Sequence, residues 1–338
     1  MNVLKTLVIG LGSTGTEICD AIASRIRWEL GATERAPWIR FLTIETNSNT
    51  SAEITSLSGI DFMTLMIPKN VYQTMLSQPE AYDEAIDFST WADTATLRGL
   101  PGNEVTAGAG NIRMVGRLAF LYPSNYENVK NAVVQRLQQL RDLTAPTAQE
   151  QRGPLQDGSN PEITFVAPED GGDDDIRIIV VGTLCGGTSS GLAADFGYFI
   201  KGLLNNNAQQ NTKSMAFFSI PSEMLTSAVV KPAEKFKKNA YHALKELNHY
   251  HNAQRDSERE IRFPDGIKGN PGLNIHPYDA LYLIQPDDVG PEYTDRLNNA
   301  VADRVFMNAF AVETDPFGNL VDTAPYDRKN RSHAFCTF

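Results

Sequence analysis

The strongest structural statement in this chain is an apolar run, Ile176-Arg177-Ile178-Ile179-Val180-Val181, that ends in Gly186-Gly187-Thr188-Ser189-Ser190-Gly191. The run reads as a buried strand, and the small residues after it read as a loop that continues into a helix. Glycines let backbone N–H groups come close to a ligand, Thr and Ser add hydroxyl donors, and the helix N-terminus adds partial positive charge. Such a loop is built to hold phosphate. It is not a Walker A loop, because no Lys follows the last glycine.

A second glycine loop lies near the N-terminus. The short apolar strand Thr6-Leu7-Val8-Ile9 leads into Gly10-Leu11-Gly12-Ser13-Thr14-Gly15, and Ile18, Ile22 and Ile26 then mark one face of a helix. Strand, G-x-G-x-x-G and helix together form the opening of a dinucleotide-type βαβ unit. The same glycines equally suit positive φ angles and close helix–strand packing.

Strands and helices alternate along the rest of the chain. Ile39–Ile44 is a strand ending in Glu45-Thr46-Asn47, followed by an irregular, partly helical excursion from about Ser48 to Leu100. Thr106–Asn111 is a third small-residue loop leading into a helix with Arg113 and Arg117, and Val129–Leu143 is amphipathic with helical spacing. From Thr144 to Asp175 the composition turns to Pro, Gly and acid, which predicts a solvated, mobile insertion around a short strand at Ile163–Val166. Helices are then expected over Leu192–Leu204, through Phe236, Ala240, Leu244 and Leu247, and through Leu297, Val301, Val305 and Ala309. The strands Ser214–Ile220 and Ala280–Ile284 alternate with them. The pattern predicts an α/β, Rossmann-like, mostly parallel sheet flanked by helices on both faces. Loops at the carboxyl ends of its strands would converge on one site.

Composition narrows the function. The 338 residues, 41% of them hydrophobic, suffice for one large core or two smaller ones. A net charge of −11 argues against nonspecific nucleic-acid binding, which needs a basic surface. No apolar run approaches the ~20 residues of a membrane span, and Met1–Lys5 runs directly into a strand without a signal-peptide pattern. Cys19, Cys185 and Cys336 are widely spaced and suit a reducing cytoplasm as small buried hydrophobes. His249 and His251, two residues apart, do not share a helix face, so no metal site is expected from them.

These motifs together resemble the tubulin/FtsZ superfamily, and most of all its bacterial tubulin-like proteins. Cys185-Gly186-Gly187-Thr188-Ser189-Ser190-Gly191 matches the signature GGGTG[ST]G, with Cys185 and Ser189 replacing glycines. Gly10–Thr16, including Gly12, Ser13 and Gly15, is similar to the first nucleotide loop, and Glu45-Thr46-Asn47 falls at the second. Gly108-Ala109-Gly110-Asn111 falls at the third, where the family contacts the γ-phosphate. Pro291–Asn298 resembles the start of the long central helix, whose aromatic, here Tyr293, stacks on guanine and whose Asn, here Asn298, reads its edge. The spacing between them is one residue longer than in tubulin. Glu17 stands where the FtsZ branch has a base-contacting Asn; it would accept from guanine, or simply favour the helix N-terminus. Glu234 and Asn239 align with positions facing the ribose or base, whereas Lys231, Lys235, Lys237 and Lys238 read as a solvated basic face.

The resemblance implies a GTP/GDP-binding protein with Mg²⁺ that assembles head to tail with copies of itself. Acids from the next subunit would complete the site. Asp315 and Asp322 are the candidates, Gly318-Asn319-Leu320-Val321-Asp322 being similar to the family's G-x-L-N-x-D loop, and Asp322 is favoured. A cytoplasmic location, an unidentified adaptor and no direct nucleic-acid partner go with this reading. It divides the chain into a nucleotide-binding domain, 1–311, and residues 312–338. The latter hold the catalytic-type loop and, at Ser332–Phe338, the first strand of a C-terminal domain that is otherwise missing. Two other readings stay open at this level. An NAD-binding Rossmann protein accounts for Gly10–Gly15 and places Glu45 at the ribose, and a GTP-binding scaffold without hydrolysis accounts for the loops alone.

Overall fold

A computed structural model of the protein describes residues 1–48, 59–86, 88–98, 108–165, 176–206, 212–221, 233–252, 261–266, 268–269, 276–285, 293–310 and 334–337. Seven strands form the main sheet: β1 (Lys5–Leu11), β2 (Ile39–Glu45), β3 (Ile60–Thr64), β4 (Ile176–Thr183), β5 (Lys213–Ser219), β6 (Ala280–Gln285) and β7 (Ala334–Thr337). They lie in the order β7-β6-β5-β4-β1-β2-β3, and every neighbouring pair is parallel. The expected α/β class holds.

The strand sequences explain why both faces are covered. In β4, Ile178 and Val180 join one apolar cluster with Leu7, Ile9, Leu42 and Ile44, while Ile179 and Val181 join a second with Val8 and Phe41. Side chains alternate across a strand, so an unbroken apolar run must find cover on both sides. Helix α1 (Gly12–Leu30) buries Ile18, Ile22 and Ile26 in the second cluster, beside Val301, Val305 and Ala309 of α6 (Tyr293–Phe310). The opposite face is covered by α2 (Arg113–Leu121), α3 (Pro123–Asp142), α4 (Thr188–Asn206) and α5 (Ala233–Asn252). Gly31 ends α1 with φ +90, its N–H returning to the Arg27 carbonyl at 2.8 Å.

Two expectations need correction. The excursion after Ser48 contains β3, an edge strand with only part-buried residues and Asp61 exposed, which deprives it of an apolar run; four helices between Lys69 and Arg98 follow it. Within Thr144–Asp175, residues Ala145–Arg152 are a packed helix rather than a solvated insertion. Thr144 caps it by accepting from the Thr147 N–H, and the fully buried Arg152 donates to Asn160 Oδ1 at 2.6 Å and Pro161 O at 2.8 Å. The short strand expected there is Thr164–Phe165, paired with Asn2–Val3; residues 166–175 lie outside the described residues. Among the described residues no helix is long and apolar enough to cross a membrane.

Candidate functional site

Strands β1 and β4 are neighbours whose connections leave in opposite directions, β1 toward β2 and β3, β4 toward β5 and β6. In an open parallel sheet, ligands enter the crevice outside the carboxyl ends of the strands at such a point. A cavity of about 400 Å³ lies there. Its wall is made by Gly12–Thr14 after β1, Glu45 and Asn47 at the end of β2, Thr183 at the end of β4 with Cys185–Ser189 after it, and Ser219 at the end of β5 with Ile220 and Pro221 after it. Gly108–Asn111 and Phe236 of α5 complete it.

Two helices start at this wall, α1 at Gly12 and α4 at Thr188. The first N–H groups of a helix have no partner within it, and Leu11 provides no side-chain cap for α1. Thr188–Gly191 is therefore the first turn of α4 rather than a loop, and Gly191 makes the first helical bond, to the Gly187 carbonyl at 3.1 Å. Gly12 sits at φ +72, which turns the chain from strand into helix without a linker. Converging N–H donors and helix dipoles of this kind suit a polyphosphate.

Glu45 ties the walls together. Its carboxylate, 2% exposed, accepts from Ser13 Oγ at 2.6 Å, Thr46 N at 2.6 Å, Thr188 Oγ1 at 3.2 Å and Asn47 N at 3.3 Å. The Thr46 and Thr188 hydroxyls meet at 2.7 Å. Among the described residues Glu45 is the one carboxylate of the lining, and no Lys or Arg lines it. The sequence places Glu45 in the second nucleotide loop, and as a ribose contact in the NAD reading, but gives no sign that it ties the walls together; Ser219–Pro221 and Phe236 were not expected as wall residues. The available signal was their place, since every parallel strand ends at the same rim.

The glycines divide into two kinds. A Cβ on Gly10 would come within 2.5 Å of the Gly15 carbonyl oxygen, and one on Gly15 within 2.6 Å of the Val181 carbonyl oxygen. Neither lines the cavity; they let α1 press against β1 and β4. A Cβ on Gly187, in contrast, would meet Ala109 Cβ and Ile112 N, each at 2.7 Å, and there two loops of the wall touch. Ser189 fits because Gly182 leaves room beneath it, and its hydroxyl accepts from the Thr183 N–H at 3.1 Å.

The other expected site residues are distributed as follows. Thr16 is buried within the first turns of α1, away from the cavity lining, and donates to the Gly12 carbonyl at 3.0 Å. Ser190 bonds the Gly186 carbonyl, and a Cβ on Gly191 would strike the Arg113 carbonyl of α2, so both lie behind the wall. Asn298 donates from Nδ2 to Glu17 Oε2 at 2.8 Å, joining α6 to α1, and its buried Oδ1 has no partner among the described residues. Glu234 is exposed and pairs with Lys238 at 3.6 Å. Asn239 is buried and faces backbone carbonyls of two wall loops. Tyr293 opens α6. Asp315 and Asp322 lie outside the described residues.

Under the wall, Arg113 donates to the Ser190 carbonyl at 3.1 and 3.0 Å and pairs with Glu246. Arg117 pairs with buried Asp195 at 2.7 Å and lies over the Trp91 ring. Burial pushes the Asp195 carboxyl up, to about 6, against the pull of Arg117. Burial also pushes the Cys185 thiol up to about 11. Cys185 therefore stays protonated at neutral pH, and its alkylation by iodoacetamide, followed by mass spectrometry of its peptide, is expected to rise ~10-fold per pH unit from pH 7 to 10. A rate already at its plateau by pH 8 contradicts this.

A family model described as "Tubulin like" matches residues 7–338. The chain belongs to the tubulin-like family. Among solved structures, this tubulin-like chain is similar to CetZ2 from Haloferax volcanii, solved as a GTPγS-bound protofilament, with 15% identity and a TM-score of 0.48 over 95% of this chain and 63% of that one. It is similar to TubZ of the Clostridium botulinum phage c-st, with 11% identity and a TM-score of 0.43 over 92% of this chain and 61% of that one. The tubulin-like chain thus spans less than two thirds of the length of either. No curated protein matches it.

Proposed function

We propose that this tubulin-like chain binds GTP in the cavity at the β1–β4 crevice, assembles head to tail with further copies, and hydrolyses GTP where two copies meet. The observation that carries the proposal is the convergence of two helix starts, that of α1 without a side-chain cap, and three small-residue loops on one cavity that no Lys or Arg lines among the described residues. Gly12, Ser13, Gly186, Gly187, Thr188 and Ser189 would take the phosphates, and Gly108–Asn111 the terminal one. Guanine presents adjacent N1–H and N2–H donors on its edge, whereas adenine has an acceptor at N1 beside its N6 amino group; the Glu17 carboxylate and Asn298 Oδ1, which has no partner among the described residues, are acceptors that fit the guanine pair better. Tyr293 would stack on the base.

The donor set fits Mg²⁺. A magnesium ion takes oxygen ligands and is held by one or two carboxylates together with substrate phosphates. Glu45, with the hydroxyls of Ser13, Thr46 and Thr188 around it, is such a group. When bound, the ion would neutralise phosphate charge; Glu45 would hold it, and Ser13 and Thr188 would be released to donate to the ligand. We assign residues 1–311 to the nucleotide-binding unit and give Asp315 and Asp322, Asp322 first, to the site of the neighbouring copy. A cytoplasmic filament protein is the corresponding setting.

The test is GTP turnover per subunit as a function of protein concentration, followed together with light scattering. A shared site predicts turnover that rises cooperatively above a threshold concentration, scattering with GTP but not GDP, and an Asp322→Ala variant that binds but does not turn over. Turnover per subunit independent of concentration would contradict a site completed by a second copy. Binding without any turnover would leave a nucleotide-dependent scaffold.

A further inference from the structure

Helix α5 grips the wall of the cavity from behind. Asn239 Nδ2 donates to the Cys185 carbonyl at 2.9 Å, the Asn111 carbonyl at 3.0 Å and the Gly186 carbonyl at 3.3 Å. One turn earlier, Lys235 Nζ donates to the Gly110 carbonyl at 2.8 Å. Further along, Glu246 pairs with Arg113, which itself holds the Ser190 carbonyl. Offsets of four and eleven residues return to nearly the same side of a helix, so one face of α5 carries all three groups. That face holds carbonyls of the loop at 108–111 and of the loop at 185–190 together.

A trans peptide plane points its N–H opposite to the preceding carbonyl. Fixing the Cys185, Gly186 and Gly110 carbonyls toward α5 therefore turns the N–H groups of Gly186, Gly187 and Asn111 away from it. All three residues line the cavity, and among the described residues these N–H groups have no acceptor. Asn111 is the one non-glycine at positive φ, at +59, among the described residues, and Asn239 secures its carbonyl. The Asn239 amide has two hydrogens for three acceptors, so no donor remains for a base or a ribose.

We infer that Asn239 is a positioning residue that sets the peptide planes of both loops, so that their N–H groups face a bound polyphosphate, and couples the two loops to each other. The inference rests on the nucleotide reading above for its ligand, but its geometry can be tested without one. Asn239→Ala removes the three bonds, and Asn239→Asp places a carboxylate among the carbonyls while keeping the shape.

Hydrogen exchange on the unliganded protein should show the Ile112 and Gly191 amides, which are bonded to carbonyls within the two loops, losing protection together by ~10-fold or more, with β1 and β2 unchanged. Calorimetry on the folded variants should show affinities for GTP, GDP and inorganic pyrophosphate falling by a common factor of ~10 to ~100, with the GTP-to-ATP preference intact. Unchanged exchange in either loop overturns the inference. So does a loss of base preference with pyrophosphate affinity unaffected, which would make Asn239 a base or ribose contact. If the unaltered protein binds no nucleotide, the nucleotide reading fails and the exchange result alone decides the role of Asn239.

Discussion

Gly187→Ala is expected to lower GTP affinity by ~10- to ~100-fold, corresponding to about 1–3 kcal/mol of overpacking at the wall. The added methyl would lie 2.7 Å from Ala109 Cβ and 2.7 Å from Ile112 N. One of these is a backbone atom and the other a Cβ, so neither can swing aside as the end of a long side chain would. The loops at 108–111 and 185–189 must part, and the donors that face a phosphate part with them. The neighbouring glycine supplies the control. A Cβ on Gly186 meets only Thr183 Cγ2, at 3.7 Å, an ordinary contact. Gly186→Ala should therefore keep the two loops together, and although Gly186 is itself given to the phosphates its loss of GTP affinity should be smaller than that of Gly187→Ala. Calorimetry on both variants, with circular dichroism to confirm the fold, separates the two. Equal losses would mean that glycine is required for conformation or solvation and not for the contact between loops.

Glu45→Gln should change how nucleotide binding depends on Mg²⁺. The carboxylate is buried among the groups that would otherwise donate to a phosphate. Without a metal it repels a polyphosphate and competes for the Ser13 and Thr188 hydroxyls. With a metal it becomes a ligand. Two unit charges ~5 Å apart at an effective dielectric constant of ~20 interact by ~3 kcal/mol, a factor of ~100 in affinity. Affinity for GTP in EDTA is thus expected to rise in Glu45→Gln while affinity in Mg²⁺ falls, shrinking their ratio by up to ~100-fold. Turnover should drop by at least ~100-fold, as when one electrostatic stabiliser is removed from a reacting site. An unchanged ratio of the two affinities would assign Glu45 to holding the loops alone.

Much of this architecture is legible from residue patterns, because burial on two sides leaves an apolar trace. Ile176–Val181 has to be an interior strand, and Ile18, Ile22 and Ile26 have to face a core. Edge elements leave no such trace. Among the described residues Ile60–Thr64 pairs on one side only and exposes Asp61, so it blends into the polar stretch around it. Ala145–Arg152 carries start signals in Thr144 and Pro146, yet its polar composition masks a helix anchored by one buried arginine.

At the site, the sequence shows which residues are small but not what each presses on. Gly10 and Gly15 belong to the helix–strand contact, whereas Gly12 and Gly187 belong to the cavity. The roles of Glu45 and Asn239 depend on groups more than thirty residues away in the chain, Ser13 and Thr188 for one, Asn111 and Cys185 for the other. Local pattern carries no record of such meetings.

The most direct test is calorimetric titration of the purified protein with GTP, GDP, ATP and NAD in the presence of Mg²⁺. Micromolar or tighter binding of GTP and GDP is expected, with ATP and NAD weaker by ~100-fold or more, a difference of about 3 kcal/mol. NAD binding with no affinity for guanine nucleotides would contradict it and return the crevice between β1 and β4 to a dinucleotide site.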